Sequence, residues 1–182
     1  MRPRPLVAAL LALSLASFST SSIAAGGAPL DPWARLRFLL GEWTGEGAGS
    51  PGAGGGGSTF ALDLDDRIMV RHNRADYPAT SDRAAYSHRD LLVIYPERDS
   101  TFRAIYWDNE GHVIRYRLGF GDAPGKVTFD SEGPEQAPRF RLSYELEPDG
   151  ALEVGFDTAP PGGALKRYVT GTLRRVAGEK GK

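Results

Sequence analysis

The chain has 182 residues, of which 22 are Lys or Arg, 23 are Asp or Glu and none is Cys. A formal net charge of −1 at pH 7 argues against a nucleic-acid partner, because neutralising phosphates requires a basic surface. The lack of cysteine excludes disulfide bonds, thiolate nucleophiles and thiolate metal sites.

The first 24 residues have the pattern of a secretory signal peptide. MRPRP supplies two arginines, and the apolar run LVAALLALSLASF that follows is too short to cross a bilayer comfortably. Ser22 and Ala24 have the small-x-small spacing that signal peptidase accepts, which predicts cleavage after Ala24, with Ala25 as the alternative. We therefore expect export to the periplasm or the medium without stable membrane insertion after cleavage. The competing interpretation is an uncleaved membrane anchor.

The segment LDPWARLRFLLGEW predicts a short N-terminal helix. Asp31 can cap it, Pro32 suits the first helical position, and Gly41 ends it. Apolar residues recur at helical spacing at Trp33, Leu36, Leu39 and Leu40.

After Gly41 the chain alternates between apolar and polar residues, as in half-buried antiparallel strands. The other alternating segments are 60–65, 67–74, 89–95, 101–107, 112–120, 126–130, 139–147, 151–157 and 165–176. With the strand at Trp43 they make about ten strands, separated by turn-forming residues. The sequence therefore predicts an all-β, up-and-down antiparallel β-barrel, as one domain over 25–178 with a disordered tail over 179–182.

The glycine-rich stretch 48–58 is expected to be a flexible loop between the first two strands. The preceding GEWTGEG opens no helix, so it does not match a phosphate-binding loop or a dinucleotide fingerprint. No Gly-x-Ser-x-Gly elbow or metal-binding histidine pair is present in the sequence. These patterns favour a non-catalytic protein.

Gly41-Glu42-Trp43, followed by these strands, resembles the opening of the calycin group, which includes lipocalins and fatty-acid-binding proteins. In that group an arginine of the last strand covers the tryptophan. The resemblance implies that Gly41 and Trp43 are structural, and that Arg174, or alternatively Arg175, covers Trp43. The segment SHRDLLVIYPERDSTFRAIYWDNEGHVIRY is similar to bacterial lipocalin-like domains of unknown function.

LLGEWTGEG is also similar to the G-x-W-x-G-x-G opening of the nitrobindin-like barrels. The resemblance implies haem binding through a histidine near the C-terminal strands. The last histidine of this chain is His112, however, so no residue matches that position and we predict no cofactor.

Polar side chains that point into the barrel are the candidate ligand contacts. Alternation places Tyr106, Tyr116 and Tyr144 inside, with their polar tips available to a ligand. His112 and His72 have the parity of inward residues on their strands and are expected inside as well. The alternative is that these groups are structural, at the barrel rim or satisfied within it.

Most arginines on the predicted strands, Arg71 among them, alternate with apolar residues and are expected to face water. Arg67 and Arg167 are the better candidates for an inward arginine that binds a carboxylate, although the register stays open at this stage.

The sequence thus predicts an exported, non-catalytic barrel that binds a small, mostly apolar molecule in its interior. Two alternatives stay open: a haem protein that acts on nitrogen oxides or peroxides through His112 or His72, and a structural or interaction domain of the cell envelope. The oligomeric state stays open too.

Overall fold

The computed structural model describes residues 31–49, 51–97 and 101–177. The predicted signal peptide (1–24) and the predicted tail (179–182) lie outside these residues. Within the described ranges, none of the helical segments has the length and apolar character that a membrane span requires.

Ten strands form a closed antiparallel barrel. They are β1 (Gly41–Gly49), β2 (Gly54–Asp63), β3 (Ile68–Tyr77), β4 (Tyr86–Pro96), β5 (Phe102–Asp108), β6 (Val113–Phe120), β7 (Lys126–Ser131), β8 (Arg139–Leu146), β9 (Leu152–Ala159) and β10 (Lys166–Arg175). Each strand pairs with the next along the chain, and β1 also pairs with β10, so every strand has two neighbours. The predicted all-β, up-and-down architecture is confirmed.

The N-terminal segment differs from the predicted helix. Residues 32–36 form turns, and a 3₁₀ helix covers only Arg37–Leu39. Most backbone hydrogen bonds here join residues three apart, such as Leu36 N–H to the Trp33 carbonyl at 2.7 Å. Trp33, Leu36 and Leu39 are also three apart and all buried, which suits a helix of three residues per turn better than an α-helix.

This segment covers one end of the barrel. We call this end of the barrel the closed end. It is defined by four buried residues, Trp33, Leu36, Leu39 and Trp43. The indole N–H of Trp43 donates to the Leu39 carbonyl at 2.7 Å, and that of Trp33 donates to the Asp66 carbonyl at 2.8 Å. Both buried indoles therefore have a hydrogen-bond partner, as stable packing requires.

Arg175 covers Trp43, and Arg174 does not. The guanidinium carbon of Arg175 lies 4.2 Å from the centre of a Trp43 ring, and its nitrogens donate to the carbonyls of Phe38 and Leu40. Arg175 is the register partner of Trp43, so the two side chains share a face of the sheet. Arg174 has the opposite parity and pairs with Asp149 instead.

The glycine-rich stretch 48–58 is mostly strand, which corrects the expectation of a loop. Gly45 pairs with Gly56, and Gly47 pairs with Gly54, across β1 and β2. Gly45 and Gly47 have the same strand parity as the buried Trp43, so these pairs lie on the inner face of the barrel. A Cβ atom at Gly45 or Gly56 would overlap a carbonyl oxygen of the adjacent strand. The glycines therefore permit close strand packing, and they leave this part of the inner wall without side chains.

Candidate ligand-binding cavity

The half of the barrel away from the closed end encloses a cavity of about 1300 Å³. Strands β6, β8, β9 and β10 supply an apolar wall, and β3, β4 and β5 supply a polar wall. The apolar wall consists of Ile114, Phe140, Leu142, Val154, Phe156 and Leu173. The glycines of β1 and β2 complete the lining. The lining side chains leave this volume empty, and it is large enough for a small organic molecule.

Two stacked tyrosines and three charged or ionisable side chains lie at the mouth of the cavity. Tyr77 and Tyr86 stack at 4.7 Å between ring centres, and the guanidinium of Arg83 lies 4.5 Å above the Tyr86 ring. Glu110 and His112 contribute to the same rim. We call these five residues the mouth.

A buried ion pair between Arg71 and Asp90 forms the centre of the polar wall. The Arg71 guanidinium donates to the Asp90 carboxylate and to the Tyr144 hydroxyl. Asn73 Nδ2 donates to the second carboxylate oxygen of Asp90 at 2.8 Å, and Ser58 Oγ donates to Asn73 Oδ1 at 2.6 Å. Both charged side chains have at least nine-tenths of their surface buried, so each depends on the other for compensation.

The pair stays ionised despite its burial. Burial lowers the pKa of Arg71, but the adjacent Asp90 carboxylate, together with Tyr144 and Tyr106, raises it above its ordinary value. Burial raises the pKa of Asp90, but the Arg71 charge and the hydrogen bonds from His88 and Asn73 lower it below its ordinary value. This pair therefore holds one positive and one negative charge at neutral pH.

His88 connects this pair to the mouth. Its Nε2 lies 2.9 Å from the Tyr106 hydroxyl and 3.4 Å from Asp90, and its Nδ1 lies 2.9 Å from Glu110. The hydrogen bond to Asp90, opposed by burial and reinforced by Glu110, raises the pKa of His88 to about 9. His88 is therefore an imidazolium at neutral pH, with both ring nitrogens engaged as donors.

The charges of this network compensate one another. Arg71 and His88 carry two positive charges, and Asp90 and Glu110 carry two negative charges within direct contact of them. An additional charged group would find no uncompensated partner within this network. Arg83, at the mouth, has no acidic partner within the described part of the chain.

Three buried polar atoms in the cavity lining have no hydrogen-bond partner within the described part of the chain: the Tyr116 hydroxyl, Arg71 Nε and Arg83 Nε. Tyr116 is only 1% exposed, and burial raises its pKa, so the hydroxyl keeps its proton. Its ring is fixed edge-on between Tyr106 and Phe129, at centre distances of 6.4 and 6.2 Å. A buried hydroxyl held in place without a partner is uncommon in native proteins, and here it belongs to the cavity lining.

Three of the sequence-predicted contacts lie together in this cavity. Tyr116 and Tyr144 are buried, and Tyr106 is half-buried, with all three in the lining. Their predicted inward orientation agrees with the structure, while their contact with a ligand stays a prediction.

The predicted inward orientation is wrong for His72, whereas His112 lies at the mouth, in the cavity lining. His72 is exposed on the outer face of β3, because Met69, Arg71 and Asn73 take the inner positions of that strand. His112 precedes β6, so strand parity does not apply to it. Its side chain is 63% exposed at the mouth, and its Nδ1 lies 2.8 Å from Asp108.

The arginine prediction is also corrected. Arg67 and Arg167 are exposed, and Arg167 pairs with Asp157. Arg71, which was expected to face water, is the inward arginine. Sequence reasoning likewise missed Asp90 and the role of His88. Residues 71–74 are all polar, so alternation does not separate the two faces of the strand there.

No family model matches the chain, and no curated protein matches it. Solved structures do match. The crystal structure of Rv2717c from M. tuberculosis has a TM-score of 0.60 and 16% sequence identity to this chain, and the match covers 80% of this chain and 98% of Rv2717c. At that identity the likeness supports the fold alone.

Proposed function

We propose that this protein is a non-catalytic barrel that binds a small, mostly apolar molecule in its interior. The observation that carries the proposal is the cavity of about 1300 Å³, with an apolar wall facing a polar wall whose charges are compensated. Burying an apolar molecule there would release about 25 cal/mol for each Å² removed from water, before the costs of association.

The chemistry of the polar wall favours binding over catalysis. A general base needs a free lone pair and a pKa near the working pH. Both ring nitrogens of His88 are hydrogen-bonded, and burial raises the pKa of Tyr106 and of Tyr116. None of these three groups is poised to accept a proton at neutral pH.

Haem is not part of the proposal, because the histidines do not fit the role of an axial ligand. His72 lies on the outer face, and His112 bonds Asp108 at the mouth. His88 uses both nitrogens within the polar wall.

The proposal also includes export. The arginines at positions 2 and 4, the short apolar run and the small residues at 22 and 24 support cleavage and delivery to the periplasm or medium. The proposal further includes a relationship to the calycin group, which is supported by the short motif at Gly41–Trp43 and by the fold. The ligand is the proposed partner, and no nucleic acid is proposed because of the mildly acidic composition.

Titration with the neutral fluorophore N-phenylnaphthylamine tests the binding function. We expect a saturable rise in fluorescence at one site per chain. The variant Val154→Trp places an indole in the cavity and should abolish the rise, because Val154 lines the apolar wall.

Val70→Trp is the matched control, since Val70 lies on the outer face of β3 opposite Val93. It adds the same side chain outside the barrel and should leave binding intact. Circular dichroism would establish that both variants fold. No saturable rise in the wild type, or an equal rise in Val154→Trp, would favour the envelope scaffold and overturn the proposal.

A further inference from the structure

We propose that the ligand carries an uncharged carbonyl-type oxygen, as in a ketone, ester or amide, which accepts a hydrogen bond from the Tyr116 hydroxyl. This inference rests on the proposed binding function and names the chemical class of its ligand. It depends on two separate observations, the charge balance of the polar wall and the unpartnered hydroxyl.

The charge balance of the polar wall argues against a carboxylate beside Tyr116. Arg83, which has no acidic partner within the described residues, lies at the mouth and not on this wall. A carboxylate is compatible with a barrel interior when a buried arginine is free to compensate it. Here the Arg71 charge is already compensated by Asp90, and His88 is held between Asp90 and Glu110. A carboxylate that entered would either displace one of these acids or lie beside it, and both outcomes are costly in a buried site.

The same balance argues against a cationic ligand. Asp90 accepts from Arg71, Asn73 and His88, so its two oxygens are occupied. Asp108, also in the lining, accepts from the His112 side chain and from backbone N–H groups of the following turn. Neither carboxylate is left to receive an ammonium group.

The Tyr116 hydroxyl supplies the specific contact. Because it keeps its proton and makes no hydrogen bond within the described protein, it can donate to an acceptor that enters the cavity. Its ring is held by Tyr106 and Phe129, so the hydroxyl has a fixed position. Because the hydroxyl is fully buried, the side chains beside it must shift before an acceptor can reach it. The apolar wall at Leu142 and Val154 then receives the body of the ligand.

Three naphthalenes substituted at the same ring position test this inference by displacement of N-phenylnaphthylamine: acetylnaphthalene, naphthoate and ethylnaphthalene. They share size and shape, but the first has a neutral acceptor, the second a charge and the third no acceptor. We expect acetylnaphthalene to bind about fivefold more tightly than ethylnaphthalene, the effect of one net hydrogen bond. It should bind at least about tenfold more tightly than naphthoate.

The variant Tyr116→Phe isolates the contact. It should abolish the preference of acetylnaphthalene over ethylnaphthalene, while the affinity for ethylnaphthalene stays the same. The free variant should be as stable as the wild type, because the deleted hydroxyl has no partner. Tyr168→Phe is the control, since Tyr168 lies in the lining but is 41% exposed, and it should keep the preference.

The outcomes separate the two proposals. If the fluorophore and all three naphthalenes fail to bind, the proposed function itself is overturned. If they bind but naphthoate is the tightest, or if Tyr116→Phe keeps the preference for acetylnaphthalene, the binding function stands and the inference about the ligand class is overturned.

Discussion

The closed end and the cavity half of this barrel satisfy their polar groups differently. At the closed end, both buried tryptophans donate to backbone carbonyls, and Arg175 covers Trp43. In the cavity half, the lining includes the unpartnered Tyr116 hydroxyl and a network of compensated charges. The closed end is a packed core with its buried polar groups satisfied, and the cavity half is compatible with the binding of a ligand.

The largest effect should come from deleting the centre of the closed end. Trp43→Ala removes a buried indole and its hydrogen bond to Leu39, which should lower the free energy of unfolding by about 3–5 kcal/mol. Urea denaturation measures the change. Trp107→Ala is the control, because Trp107 is 38% exposed on the outer face, and it should cost about 1 kcal/mol or less. Equal losses in the two variants would contradict the role given to the closed end.

A smaller effect is expected from the glycine wall. Gly56→Ala adds a methyl group that overlaps a carbonyl oxygen of β3, so it should destabilise the fold by about 1–3 kcal/mol. In Gly55→Ala the added Cβ would lie 3.6 Å from the nearest atom, an ordinary contact. Thermal unfolding should therefore separate the two variants, and a Gly56→Ala protein as stable as Gly55→Ala would show that close strand approach is not the reason for the glycines.

The third comparison concerns the two neighbouring arginines of β10. Arg175→Met loses the contact with Trp43 and the hydrogen bonds to Phe38 and Leu40, and should cost about 1–2 kcal/mol of stability. Arg174→Met loses only an exposed pair with Asp149 and should cost about 0.5 kcal/mol or less. Denaturant unfolding of both proteins decides whether Arg175 is the covering residue. The reverse order would restore the original assignment to Arg174.

The smallest predicted effect is a pH dependence in the cavity half. The pKa of His88 is raised from 6.5 to about 9 in the folded protein, so its contribution to stability is complete below pH 6.5 and is lost as the pH rises through about 9. The difference in unfolding free energy between wild type and His88→Gln should therefore shrink between about pH 6 and pH 10. Because His88 is partly exposed, we expect a change of about 1 kcal/mol.

His72→Gln is the control for this profile, since it removes an imidazole from the outer face. A constant difference between wild type and His88→Gln across the pH range would contradict the proposed ionic network around His88.

The strands could be predicted from the sequence because alternation and turn residues act locally. The orientation of β3 could not, because apolar residues occupy both of its faces. Ile68 and Val70 are half-buried on the outer face, while Met69 is buried inside, so the apolar pattern alone did not fix which face Arg71 takes. Choosing the wrong face exchanged Arg71 for His72.

The polar network was beyond sequence reasoning for a different reason. Arg71, His88 and Asp90 come from two strands, and their contacts depend on the register between β3 and β4, in which Asn73 pairs with Asp90. The N-terminal segment was mispredicted because Trp33, Leu36 and Leu39 fit both a 3₁₀ helix and one face of an α-helix. Packing of these side chains against the barrel decides between the two.

Native mass spectrometry of the protein purified from the cells that make it tests the central claim most directly, with the Val154→Trp variant from the same cells as its control. The account predicts an organic molecule bound to the wild type, released on denaturation and absent from Val154→Trp. A bare polypeptide mass for both proteins, or the same adduct on both, would contradict a ligand held in the cavity.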